Sequence, residues 1–106
     1  MKMSLEYSNK QLEKATAIFK ALADPERLDI LVSLASGEAS VSELAQARQQ
    51  RLGTVSARLQ VLSRANLLRR RRDGQVVLYS LADDHVVELI ENALAHADED
   101  HPGHAD

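Results

Sequence analysis

The chain contains no cysteine. That absence removes disulfides, thiolate metal sites and cysteine nucleophiles together. Tryptophan is missing as well, and there are only one phenylalanine and two tyrosines. A core must therefore be built from Leu, Ile, Val and Ala. The aromatic platforms that stack on single-stranded bases are lacking, which argues against an RNA-binding module. No stretch approaches the ~20 apolar residues that span a bilayer. The opening MKMSLEYSNK has no apolar run after its lysine, so no signal peptide is expected. There is no glycine-rich phosphate loop and no Ser–His–Asp set that a fold would bring together. The chain is thus expected to be cytoplasmic, without a membrane partner or an organic cofactor, and not an enzyme.

What is present is charge, unevenly placed. The formal net charge of −3 hides the asymmetry. Residues 45–75 hold eight arginines (48, 51, 58, 64, 69, 70, 71 and 72) and a single acid, Asp73. Residues 81–106 hold eight acids, four histidines and neither Lys nor Arg. The first segment suits a polyanion and the second a cation, so segment charge is more informative than the total.

Periodicity gives the elements. Over residues 8–22, Leu12, Ala15, Phe19 and Leu22 fall on one helical face. In ADPERLDILVSLASG, Asp24 is an N-cap, Pro25 fits the first helical position and Gly37 can end the helix. Leu28, Leu31 and Leu34 form its apolar stripe. Ser40 and Glu43 make a capping box for the next helix. Thr54 can cap a fourth, which places Val55, Leu59 and Leu62 at core spacing, and Asn66 can stop it in a left-handed conformation. The pattern then changes period. Two β-capable runs flank Asp73-Gly74, a hairpin signal. Asp83 opens a last helix with Val86, Leu89, Ile90, Ala93, Leu94 and Ala97 on one face.

The expected fold is mainly α with one β-hairpin, a winged helix-turn-helix of order ααααββα. It forms a single domain over residues 1–106, with 8–98 as the ordered core and 99–106 as a frayed tail. A helix-rich chain of 106 residues can share its core with a second copy, so a homodimer through the terminal helices is expected.

In such a fold the second helix of the motif enters the major groove of double-stranded DNA. With Val55, Leu59 and Leu62 inward, Gly53, Ala57, Gln60 and Arg64 face outward at ~100° per residue. Thr54 and Ser56 lie near the helix start. Ser, Thr and Gln read bases or bind phosphate, while Arg58 and Arg64 suit phosphate, with Arg58 also able to read a guanine. Alternate side chains on a strand point oppositely, so Arg69 to Arg72 cannot all face DNA. The candidate DNA contacts are Arg51, Thr54, Ser56, Arg58, Gln60, Arg64, Arg70, Arg72 and Gln75. The plainer reading is that the arginines solvate a hairpin edge and block aggregation.

The acidic helix poses a different question. His85 and His96 return to nearly one face but stand ~16 Å apart along the axis. Metal–nitrogen bonds are about 2.0–2.1 Å, so one helix cannot use both on one ion. Two antiparallel copies about a two-fold axis can. Asp83 and His85 of one chain would meet His96 and Glu99 of the other, giving two equal sites with two imidazoles and two carboxylates each, a set that suits zinc. Spacing alone leaves open that these are ordinary helix-end charges and solvated seam histidines.

The motifs together resemble the ArsR/SmtB family of bacterial metal-sensing repressors, over roughly residues 12–100. ALADPERLDILVSL resembles its second-helix signature, EASVSELAQ the entry to the helix-turn-helix, VSARLQVLSRANLL the recognition helix and RRRRDGQVVLYSLAD the wing. Asp83, His85, His96 and Glu99 match the family's metal motif in the C-terminal helix. The resemblance implies an apo dimer that binds a two-fold operator and is released by metal bound across the last helices, with Zn(II) favoured and Co(II) or Ni(II) as alternatives. The spacing of His96, Glu99 and His101 is similar to that of nickel and cobalt sensors, so His101 and His104 are auxiliary candidates, although HPGH also reads as a frayed end. Three features depart from the family pattern. Ser40 and Ser42 stand where soft-metal sensors carry a C-x-C pair. Gln49 replaces a common turn glycine, and Ala57 replaces a common histidine. A metal-buffering protein that does not regulate DNA is the competing reading.

Overall fold

The computed structural model describes residues 4–99. His101 and His104, and the tail segment from residue 100 onward, lie outside the described residues. The winged helix-turn-helix is found, with one added strand. Helices α1 (Asn9–Leu22) and α2 (Pro25–Leu34) lead to a short strand β1 (Ala39–Ser40). Helices α3 (Val41–Arg48) and α4 (Leu52–Arg64) form the motif. Strands β2 (Leu68–Asp73) and β3 (Val76–Leu81) form the wing, and α5 (Asp84–Ala97) follows.

Local chemistry sets most of the boundaries. Ser8 and Gln11 form a reciprocal capping box at the start of α1. The Asp24 carboxylate accepts from the Arg27 N–H at 2.9 Å and opens α2, with Pro25 in its first turn. Arg27 then turns back on α1, donating to the Ala21 and Lys20 carbonyls at 2.7 and 3.1 Å. Both are carbonyls of the last turn of α1, where intrahelical donors run out; that of Lys20 also accepts from the Ala23 N–H at 3.3 Å. Ser40 and Glu43 form the expected box at α3.

The motif's turn is built without glycine. Gln49 takes φ 55° and ψ 46°. The Gln50 N–H bonds the Ala45 carbonyl at 3.0 Å and the Gln49 N–H bonds that of Gln46 at 3.2 Å. This is the left-handed ending that glycine normally supplies, and a side chain there costs about 1–2 kcal/mol. Helix α4 consequently begins about one turn earlier than expected. Arg51 is its N-cap, with no side-chain hydrogen bond, and Thr54 lies inside the first turn instead of capping it. Asn66, at φ 60°, ends α4 as expected, and the Leu67 N–H reaches back to the Leu62 carbonyl at 3.1 Å.

The sheet order is β1-β3-β2, antiparallel throughout. Leu68 faces Leu81, Arg70 faces Tyr79 and Asp73 faces Val76. Asp73 is therefore the last residue of β2, and Gly74-Gln75 makes the turn, one position later than Asp-Gly. Gly74 has φ 65°, where a two-residue hairpin turn needs glycine. Strand β1 is absent from the expected order because two residues carry no period of their own. It forms because Ala39 and Ser40 pair with Tyr79 and Leu78.

The core is aliphatic. Ile30, Leu31, Leu34, Val55, Leu59, Leu62, Leu67, Val86 and Ile90 are buried. Ile30 replaces Leu28 in the expected α2 stripe. On α1, Leu12 and Phe19 remain 52% and 61% exposed, while Ala21, Ile18 and Leu22 make the packing contacts. Helix α5 docks by Val86 and Ile90, and its second half, including Leu94, stands exposed. An apolar groove of about 300 Å³, lined by Phe19, Leu22, Leu28, Leu89, Ile90 and Ala93 among others, runs where α1, α2 and α5 meet.

Candidate DNA-binding surface and metal half-sites

Helix α4 inserts Val55, Leu59 and Leu62 into the core, which fixes the opposite side outward. Arg51, Thr54, Gln60 and Arg64 are exposed there, with Ser56 half-buried among them. Arg58 is half-buried on the flank towards α2. Its Nη1 donates to Gln50 Oε1 at 3.0 Å and lies 3.7 Å from Glu26 Oε1.

The wing sorts its four arginines by strand alternation. Arg69 donates to the Ala82 carbonyl at 2.8 Å. Arg71, on the same face, holds Glu38 through two guanidinium nitrogens, Nε reaching Oε2 at 2.9 Å. The Arg71 hydrogen bond keeps the Glu38 carboxyl below its usual range, and Glu38 in turn raises the Arg71 guanidinium. Arg70 and Arg72 lie on the other face, both exposed. The Arg70 guanidinium sits 5.9 Å over the Tyr79 ring, a cation–π distance. Gln75 is exposed at the hairpin tip.

Helix α5 carries a His–carboxylate pair at each end. His85 Nδ1 lies 3.9 Å from Asp83 Oδ1, and His96 Nδ1 lies 3.6 Å from Glu99 Oε1. Both imidazoles are accessible, at 93% and 74% exposed. Asp83 is also the N-cap of α5, its Oδ1 accepting from the Val86 N–H at 3.0 Å. Donor atoms on a tetrahedral zinc with bonds of about 2.0–2.1 Å sit about 3.3 Å apart. Each pair is thus close to the spacing that ligation of one ion requires. Among the described residues, no group of three or more His, Cys, Asp or Glu could hold a metal ion. The two pairs are the candidate half-sites, each containing an imidazole and a carboxylate.

The Asp83–His85 pair does not stand alone. A groove of about 350 Å³ is lined by Asp83 and His85 from the α5 start, by Arg64 and Asn66 from the α4 end, and by Lys14 from α1. The end of the candidate recognition helix and one candidate half-site thus share a single cleft.

Residues 22–71 match the helix-turn-helix domain family. The chain is 41% identical over 86 residues to the HTH-type transcriptional regulator KmtR of Mycobacterium tuberculosis, covering 81% of this chain and 66% of that protein. It is 39% identical to the transcriptional repressor SmtB homolog of Synechocystis, covering 84% of this chain and 67% of the relative. It spans only about two thirds of these curated relatives. The solution structure of a homodimeric winged helix-turn-helix DNA-binding domain from Mycobacterium bovis, described as a possible ArsR-family regulator, superposes with a TM-score of 0.83. That match is 35% identical and covers 98% of each chain. The chain belongs to the ArsR/SmtB family. Members of this family are DNA-binding transcriptional regulators, not enzymes. Among the described residues no helix is long and apolar enough to cross a membrane.

Several residues that shape this family surface are not visible in the sequence. Glu38 and Tyr79 hold two of the wing arginines, and Glu26 and Gln50 hold Arg58. Glu38 and Arg71 are 33 residues apart, and no local pattern links them. The one usable hint is that four adjacent arginines cannot share a strand face.

Proposed function

We propose that this ArsR/SmtB member is a zinc-responsive repressor acting in the cytoplasm. In this reading a homodimer binds double-stranded operator DNA and lets go when metal is bound. The observation that carries it is the division of α5 into two His–carboxylate pairs, at 3.9 and 3.6 Å, with no metal-holding group of three such donors among the described residues. A second copy, antiparallel across the exposed Leu12, Phe19 and Leu94, supplies the remaining donors. The M. bovis neighbour is described as homodimeric, and the Synechocystis relative is named a repressor; both support this reading.

Asp83 and His85 of one protomer, with the partner's His96 and the partner's Glu99, form each site. Bound there, zinc would contribute a four-coordinate cross-link between protomers through two nitrogens and two oxygens. Co(II) and Ni(II) are the alternatives, with His101 and His104 as further donors for the latter. The DNA face comprises Arg51, Thr54, Ser56, Gln60 and Arg64 on α4, with Arg70, Arg72 and Gln75 on the wing. Arg58 stands apart from this face because Gln50 and Glu26 hold it. Residues 1–106 act as one domain.

The shared groove gives the coupling a physical route. Arg64 and Asn66 line the same cleft as Asp83 and His85. A shift of α5 against its partner therefore changes the footing of α4 and the spacing of the two recognition helices. The coupling is reciprocal, so operator weakens metal binding by the same factor. Moving the dimer from 1:99 to 99:1 takes about 5.5 kcal/mol of differential binding.

The test is a titration of the protein–operator complex with Zn(II), Co(II) and Ni(II) at buffered free concentrations, read by anisotropy. Release by zinc is expected. No operator binding at low salt sinks the repressor reading and leaves the metal-buffering one. Release by nickel alone makes the tail histidines ligands and overturns the choice of zinc.

A further inference from the structure

Two arginines of the basic segment turn towards α2 instead of outward. The Arg48 side chain is only 9% exposed; it is bound to the Asp29 carboxylate, and its Nη1 donates to Ser33 Oγ at 3.2 Å. The Arg58 side chain, 26% exposed, is shared between Gln50 Oε1 at 3.0 Å and Glu26 Oε1 at 3.7 Å. Gln50 closes the triangle by donating from Nε2 to Glu26 Oε1 at 3.1 Å. Helix α2, the turn after α3 and α4 are thereby joined through side chains alone.

The backbone explains why such a joint matters here. The turn lacks glycine, and Gln49 is held in a left-handed conformation. Helix α4 begins at Leu52 with no side-chain cap. The usual local devices that fix where a recognition helix starts and how it points are therefore weak. Charge-assisted hydrogen bonds to a neighbouring helix can supply that orientation. To reach a phosphate, Arg58 would have to leave both Gln50 and Glu26.

We infer that Arg58 is a positioning residue. With Glu26 and Gln50 it clamps α4 and its turn onto α2, and it does not itself bind DNA. The inference rests on the operator-binding reading above. It divides the exposed-looking charge of α4 into a structural arginine, Arg58, and DNA-facing ones, Arg51 and Arg64.

The experiment measures operator affinity of the full-length dimer against salt concentration, with thermal unfolding as a control. Removing one arginine–phosphate pairing lowers the log–log salt slope by about 0.9. For Arg64→Gln the slope is expected to fall accordingly. For Arg58→Gln, affinity is expected to drop about tenfold with the slope unchanged. The charge-swapped Glu26→Arg, Arg58→Glu double variant conserves net charge. Its Gln50 amide can rotate to serve the reversed pair, so binding is expected to return to within about threefold of wild type. Single Arg58→Glu is expected to stay weak. A slope for Arg58→Gln that falls as that of Arg64→Gln does overturns the inference, and so does a double variant no better than Arg58→Glu. Wild-type protein that binds no operator at low salt overturns the operator-binding reading and this inference with it.

Discussion

Arg69 and Arg71 of the wing are tied to the fold by the Ala82 carbonyl and the Glu38 carboxylate. His85 and His96 stand exposed at opposite ends of α5, each beside a carboxylate. The contrast is between a candidate DNA surface whose side chains are placed within one chain and, in the proposed reading, a metal site that needs two. Helix α4 is anchored by Val55, Leu59 and Leu62, so its outward side is defined within the monomer. Helix α5 is anchored only by Val86 and Ile90, and everything from residue 91 to residue 99 is exposed. A DNA surface needs a rigid scaffold. A metal sensor gains from the opposite arrangement, because a site completed by a second chain makes metal binding depend on how the two chains are placed.

The sharpest way to break this contrast is to remove the second chain. Phe19→Asp puts a charge on the exposed face of α1, where the side chain is 61% exposed and little of the monomer's own packing is at stake. The expected protein is a folded monomer by sedimentation, with thermal unfolding little changed. Operator affinity and tight zinc binding should both disappear. A Phe19→Asp monomer that kept wild-type zinc affinity would show that one chain completes the site.

Next in size is the loss of one half-site. His96→Ala should weaken zinc by more than the 10–100-fold that follows loss of a residue merely supporting a ligand, and abolish zinc-driven release. His85→Ala should do the same. Mixing the two variants gives the more telling result. In a heterodimer, one site loses both histidines while the other keeps His85 from one chain and His96 from its partner. Zinc titration against a chelator should recover about one tight site per heterodimer. No recovery would falsify the shared arrangement.

What could be read in the sequence divides along a similar line. Asp24, Ser40, Asp83 and Asn66 act within a few residues of themselves, and each ends or begins a helix where its chemistry indicates. The inward face of α4 follows from period alone. Non-local features do not. Strand β1, absent from the expected order, exists only by pairing with β3. Thr54 reads as a cap because nothing nearby indicates that Gln49 takes a left-handed turn without glycine and starts α4 early. The face of α1 carrying Leu12 and Phe19 is legible as apolar, but not as a face the monomer leaves uncovered. The His–carboxylate pairs are legible by spacing, while the partners of Arg58 and Arg71 lie 8 and 33 residues away, where no local pattern names them.

Within the wing the same contrast predicts smaller effects. Arg70→Gln and Arg72→Gln should each lower the salt slope of operator binding by about 0.9 for every phosphate that the arginine neutralises. Arg69→Gln and Arg71→Gln, whose guanidiniums are engaged with Ala82 and Glu38, should leave the slope unchanged. Equal slopes for all four variants would erase the distinction between the two faces of β2.

The smallest effect expected is a pH dependence of wing anchoring. The hydrogen bond from Arg71 holds the Glu38 carboxyl below its ordinary value of 4.5. A group whose folded pKa is lowered contributes stability that is fully present above the unfolded pKa. That contribution vanishes as pH falls through the folded value. The Arg71–Glu38 link should therefore be intact at neutral pH and weaken only in acid, below about 4.5. Because the pair is solvent-exposed, the effect on global unfolding should be slight. Hydrogen exchange of the β2–β3 amides offers a local readout. In wild type, protection should decline as pH falls below that value, after correction for intrinsic exchange. In Glu38→Gln, protection should already be lower at neutral pH and show no such decline. A decline of equal size in both proteins would mean that another carboxylate, not Glu38, sets the acid response of the wing.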